Sequence, residues 1–201
     1  MTAEPAPELA LSAICSALRS RRRVFALVGG LAVSVRSEIR FTRDVDVAVG
    51  VSDDRDAEDL VHDLRSEGYL PVASVEHETR QRLSTIRLMS PQGVKIDLLF
   101  ASSGIEAEII ARATPVDMGS AGMVPVANAE ELLAMKVLSM SESRLQDRLD
   151  AIRLLEFVPQ VDLDIVRDEL RRITELGFHR DQDLVAKLES VLQASKREPA
   201  G

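Results

Sequence analysis

Cysteine is nearly missing from this chain. Among 201 residues only Cys15 occurs, so neither an intrachain disulfide nor a cysteine-built zinc site can form. Histidine is almost as scarce, and His62, His77 and His179 show no metal-ligand spacing. Tryptophan is absent and aromatics make up 3%, so the core must be built from Leu, Val, Ile, Ala and Met; an apolar fraction of 45% is sufficient for that. No apolar run approaches the roughly 20 residues that span a bilayer. The acidic, proline-bearing N-terminus lacks a charged-then-apolar signal pattern, and a soluble cytoplasmic protein is expected. Excess positive charge is also lacking: the net charge of −8 argues against coating nucleic acid through bulk charge. Room remains for a local basic surface. Arg19, Arg21, Arg22 and Arg23 form one cluster, read either as a solvated helix end or as a binding patch.

What is present is organised around Val28 to Val49. Val24–Val28 is a short apolar run, read as a buried strand; Gly29-Gly30 breaks it, and Leu31–Arg36 is helical. A strand, glycine turn and helix in this order bring backbone N–H groups and a helix N-terminus to a phosphate. In Asp44-Val45-Asp46-Val47 the strand period puts both carboxylates on one face, roughly 7 Å apart at Cα. Like charges that close repel unless a cation lies between them, and a magnesium ion held by oxygen ligands suits that place. A solvated edge strand is the alternative.

Upstream, Leu9–Arg22 is an amphipathic helix carrying Cys15 on its buried side, after a loose tail over Met1–Pro7. Downstream, Ser52–Asp54 caps a helix ending near Gly68, and Tyr69–Val75 is an edge or irregular strand because of Pro71. Leu83–Met89 and Val94–Phe100 form a hairpin about Ser90–Gly93. In its second arm Asp97 opposes the apolar face of Val94, Ile96 and Leu98. A buried carboxylate needs a partner. Asp97 is therefore either a third ligand beside Asp44 and Asp46 or the anion of a salt bridge to Lys95 or a nearby arginine.

A helix follows from Ser103, and Thr114–Val126 is broken into short extended pieces and turns. The rest is helical. Asn128 caps a helix with Leu132, Leu133, Met135, Val137 and Leu138, in which Lys136 either snorkels outward or reaches a polyphosphate. The helix from Arg144 to Phe157 places Leu145, Leu149, Ile152 and Leu155 on one stripe. Two more helices end in a frayed Ser195–Gly201, and no internal repeat occurs. The chain thus divides near Gly122 into a mixed half, 1–122, and an all-helical half, 123–201.

Three carboxylates on two strands, with a glycine pair one strand–helix unit earlier, suit phosphoryl or nucleotidyl transfer. Val28-Gly29-Gly30, then Asp44-Val45-Asp46-Val47 after thirteen intervening residues, resembles the signature of the nucleotidyltransferase superfamily with the DNA polymerase β-like fold. Arg40-Phe41-Thr42-Arg43-Asp44-Val45-Asp46, and Leu132-Leu133-Ala134-Met135-Lys136 followed by Arg144, Asp147 and Asp150, are similar to the motifs of AbiEii-like nucleotidyltransferase toxins. Gln146 stands where that family usually has Lys. The resemblance implies an α+β fold: a mixed sheet with flanking helices, then a C-terminal helical bundle completing the nucleotide cleft. It implies an NTP substrate, two magnesium ions on Asp44, Asp46 and Asp97, and phosphate contacts from Gly29, Gly30, Thr42 and Lys136. Asp147 and Asp150 would orient Lys136 or touch the nucleotide. The implied acceptor is a hydroxyl of RNA, such as a tRNA 3′ end, or of a small molecule, as in antibiotic nucleotidyltransferases. A cognate antitoxin is the implied protein partner, and a non-catalytic binding module on the same fold is the competing expectation.

Overall fold

The computed structural model describes residues 7–77 and 82–196. The loose tail and frayed end read from the sequence lie outside these residues, except that Pro7 opens the first helix and Ser195 and its C-cap Lys196 close the last. The chain groups into two compact units: one of residues 1–31, 41–102 and 106–127, the other of 32–40, 103–105 and 128–201.

The first unit is a seven-stranded mixed sheet with helices. Its strands are β1 (Phe25–Val28), β2 (Val45–Val49), β3 (Leu70–His77), β4 (Arg82–Met89), β5 (Lys95–Leu99), β6 (Thr114–Asp117) and β7 (Met123–Val126). They lie in the order β3-β4-β5-β2-β1-β7-β6. β1 is antiparallel to β2, β2 parallel to β5, and β1 parallel to β7. β1 is buried at every position and β2 at all but Asp46, as central strands covered on both faces should be. β3 is an edge strand with its register broken between Pro71 and Ala73, where proline cannot donate to the ladder. β4 and β5 form the expected hairpin, with Ile86, Leu88, Ile96 and Leu98 buried on one face. β7 lies past the expected division at 122 and belongs to the sheet.

Helix α1 (Pro7–Ser20) buries Leu11, Ile14, Cys15 and Leu18, and burial pushes the Cys15 thiol up to about 11. α3 (Asp54–Ser66) starts at Asp53, whose carboxylate accepts from the Asp56 N–H at 2.9 Å. α4 (Glu106–Arg112) packs on β1 and β2. α2 (Gly29–Arg36) begins directly at the end of β1.

The second unit is built on α5 (Ala129–Ser139), which packs against α6 (Leu145–Phe157), α7 (Leu163–Glu175) and α8 (Leu184–Ser195). Leu132, Leu133, Ala134, Val137 and Leu138 are all buried, as befits a helix covered by three others. In α7 Val166, Leu170 and Ile173 are buried at helical spacing behind an Asp162 cap. α6 departs from its expected stripe: Leu145 is 65% and Leu149 49% exposed, and the buried residues are Asp147, Asp150, Ala151 and Leu154. Ion pairs to Asp147 and Asp150, described below, turn the helix carboxylate side inward.

Candidate active site

In the first unit one ladder row crosses four strands. Arg87 of β4 is opposite Asp97 of β5, Asp97 beside Asp46 of β2, and Asp46 opposite Val28 of β1. Residues in one row point to the same face. Asp44, two residues before Asp46, is half-buried like it at the mouth of β2. The next residue after Val28 is Gly29, held at φ +67. A Cβ there would fall 1.9 Å from Asp46 Oδ2 and 2.5 Å from its Cγ. The glycine is needed twice: for its left-handed backbone, and because the Asp46 carboxylate fills the space a side chain would take. Gly30 is buried in the first turn of α2, and Thr42 lies half-buried in the irregular segment before Asp44.

Asp97 has a partner. Arg87 grips it with both arms, Nε to Oδ1 at 2.8 Å and Nη2 to Oδ2 at 2.7 Å. The Asp97 hydrogen bonds and charge, joined by the charges of Asp44 and Asp46, hold the Arg87 guanidinium well above its ordinary value. The sequence alone leaves Asp97 between a metal and a basic neighbour and does not single out Arg87. Strand alternation puts both on the polar face, but counting outward from Ser90–Gly93 pairs Arg87 with Ile96; Ser90 in fact pairs with Val94, its N–H donating to the Val94 carbonyl at 2.8 Å, and that shift of one residue sets Arg87 opposite Asp97. The donor set of Asp44 and Asp46, hard oxygens on one face, fits a magnesium ion. As the side chains stand, no group of three His, Cys, Asp or Glu converges as a metal site among the described residues.

The second unit holds the other sequence-derived residues together. Lys136, 8% exposed, donates from Nζ to Asp147 Oδ1 at 2.7 Å and contacts Asp150 Oδ2 at 2.9 Å. Asp150 is fully buried and receives Arg40 bidentately at 2.8 and 2.7 Å, with Gln146 Nε2 donating at 2.9 Å. Burial alone would push the Asp150 carboxyl up, but the hydrogen bonds and charges of Arg40 and Lys136 outweigh it and hold it below its ordinary value. Arg144 Nε meets Asp147 Oδ2 at 2.7 Å. Lys136 therefore does not snorkel to solvent; it is pinned by two carboxylates. Gln146, standing in place of the usual Lys, spends its amide on Asp150. Arg40, not singled out as a site residue, belongs to this network.

Three of the four clustered arginines are structural ties, and Arg22 is exposed. Arg19 donates to the Ala121 and Met123 carbonyls, Arg21 to Glu67, and Arg23 bidentately to Asp56. Arg36 reaches Asn128 Oδ1 at 3.3 Å and burial lowers its pKa. Arg43 lies 5.5 Å from the ring of Phe41, which is 78% exposed.

The sheet order, the glycine turn and the carboxylate row define a fold of the nucleotidyltransferase class. An antigenic nucleotidyltransferase-like protein from Paracoccidioides brasiliensis shares it, with a TM-score of 0.51 at 19% identity over 94% of both chains. The chain belongs to the family described as nucleotidyl transferase AbiEii toxin, type IV TA system, whose model matches residues 13–198. More distant likenesses are a lincomycin-bound lincosamide antibiotic adenylyltransferase (TM-score 0.44, 13% identity, 85% of this chain and 96% of that one) and a Thermotoga maritima CCA-adding enzyme complexed with tRNA (0.41, 18%, 98% and 49%). No curated protein matches the chain.

Proposed function

We propose that this protein transfers a nucleoside monophosphate from an NTP to a hydroxyl, releasing pyrophosphate, with a divalent metal held by Asp44 and Asp46. The observation that carries this reading is the packing of Asp46 against Gly29: the carboxylate that would hold the metal touches the backbone turn that would receive the phosphates. A bound divalent ion would supply activation of the attacking hydroxyl and charge neutralisation at the leaving pyrophosphate. The chain's own residues do the rest. Gly29 and Gly30 let backbone N–H groups approach phosphate oxygens with no side chain between. Asp97, on the same sheet row, is the third carboxylate. In the second unit Lys136, oriented by Asp147 and Asp150, is the cation proposed for phosphate binding.

The acceptor we propose first is an RNA 3′-terminal hydroxyl, tRNA being the first to try, with a neighbouring antitoxin as the controlling partner. A small-molecule hydroxyl is the second reading. It is favoured by the net charge of −8 and by the internal pairing of Arg19, Arg21, Arg23, Arg36 and Arg40. The test is incubation with each labelled NTP and magnesium against total RNA and a panel of aminoglycosides and lincosamides, with Asp46→Ala as control. Label transferred by the native chain and lost in the variant is expected. Nucleotide-induced thermal stabilisation with no labelled product on any acceptor would favour a non-catalytic binding module instead.

A further inference from the structure

The carboxylate row of the first unit ends in a cation that belongs to the protein. Arg87, Asp97 and Asp46 stand side by side on β4, β5 and β2, and Arg87 takes both oxygens of Asp97. A fork-to-fork arginine–carboxylate pair is a strong geometry, and it engages both oxygens of Asp97, so a metal ion must share them with the guanidinium or displace it. The Arg87 side chain is 42% exposed whereas that of Asp97 is 14% exposed, so the arginine is the partner with freedom to leave.

Resting on the functional reading above, we infer that Arg87 is a resident counter-cation that competes with metal for Asp97. In the nucleotide-free protein the row takes one divalent ion, on Asp44 and Asp46, and Asp97 joins the ligand set only when Arg87 lets go. Arg87 is thus a positioning residue that sets how many metal ions the site holds. It is suited to this because a guanidinium cannot lose its proton near neutral pH, so it can be displaced but not neutralised.

The test is manganese binding to the full chain without nucleotide, followed by electron paramagnetic resonance of free Mn2+ and by calorimetry. The native chain is expected to bind one ion. Arg87→Gln, which removes the charge and the guanidinium fork and leaves a shorter polar side chain, is expected to bind a second ion or to bind the first on the order of tenfold more tightly. Equal stoichiometry and affinity in the two proteins would overturn the inference. Should Arg87→Gln not fold, Asp97→Asn decides: it is expected to keep the single Mn2+ within about threefold of native affinity, whereas Asp46→Asn loses it. Loss of that ion in Asp97→Asn means that Asp97 is already a ligand and overturns the inference. A native chain that binds manganese neither alone nor with any NTP removes this inference and the proposed function together; a native chain that binds one ion, with Arg87→Gln unchanged, removes this inference alone.

Discussion

At the scale of single residues, Gly29 and Asp46 act as one unit. The space beside Gly29 is occupied by a carboxylate, and its φ of +67 already disfavours any side chain. Gly29→Ala is expected to push Asp46 out of its row, lower stability by about 1–3 kcal/mol, and abolish the magnesium-dependent nucleotide binding that the proposed function calls for. Urea melts and thermal shifts with magnesium and NTP check this; native-like nucleotide stabilisation in the variant would show that the close packing is dispensable. These two residues were legible in the sequence because their signals are local: a glycine pair after an apolar run, and aspartates two apart on a strand. Arg87 was not legible as the partner of Asp97, because the pairing depends on Ser90 joining the ladder opposite Val94 instead of the turn. Arg40 was not legible as a partner of Asp150, because nothing local links two side chains 110 residues apart in the chain.

At the scale of elements, strands and helices followed from period and punctuation, but α6 shows where period fails. Its leucines suggested a buried stripe, yet Leu145 and Leu149 are exposed and Asp147 and Asp150 are inside. Breaking a buried ion pair by removing one partner costs about 3–5 kcal/mol, more than leaving one leucine in water, so Lys136 and Arg40 decide which face turns in. The expected outcome is a reversal of the usual rule. Leu149→Gln should change stability by no more than about 0.5 kcal/mol, whereas Leu154→Ala should cost about 2–5 kcal/mol. Urea denaturation of both variants measures it, and comparable losses in the two would refute the inverted face.

At the scale of the whole molecule, turn residues place an expected division near Gly122, whereas the compact units interleave and the first runs on to Ala127. The strand order could not be read from the sequence. The parallel pairing of β1 with β7 joins Leu27 to Val126, and no sequence period reports a partner that distant. Acid stability also belongs to this scale, because each unit contains a depressed carboxylate. Asp56 is held down to about 2, chiefly by its hydrogen bonds from Arg23, and Asp150 lies below its ordinary value. A carboxyl lowered in the folded state stabilises the fold above its unfolded pKa of about 3.9 and loses that contribution as pH falls through the folded value. Stability should therefore be insensitive to these two groups above about pH 5 and should fall from about pH 4 toward pH 2. Urea midpoints at pH 7, 5 and 3 test this, with Asp56→Asn and Asp150→Asn each expected to flatten the acid limb. An unchanged limb in both variants would assign acid unfolding to other groups.

The helical unit borrows residues 32–40 from the stretch between β1 and β2, and 103–105 from before α4. No single cut therefore separates the units. A break after Ala127 leaves Arg40 on one fragment and its buried partner Asp150 on the other. In recombination terms this is an interleaved protein and not a modular one. Its helices cannot be exchanged with those of a relative as a C-terminal cassette unless the short stretch carrying Arg40 travels with them.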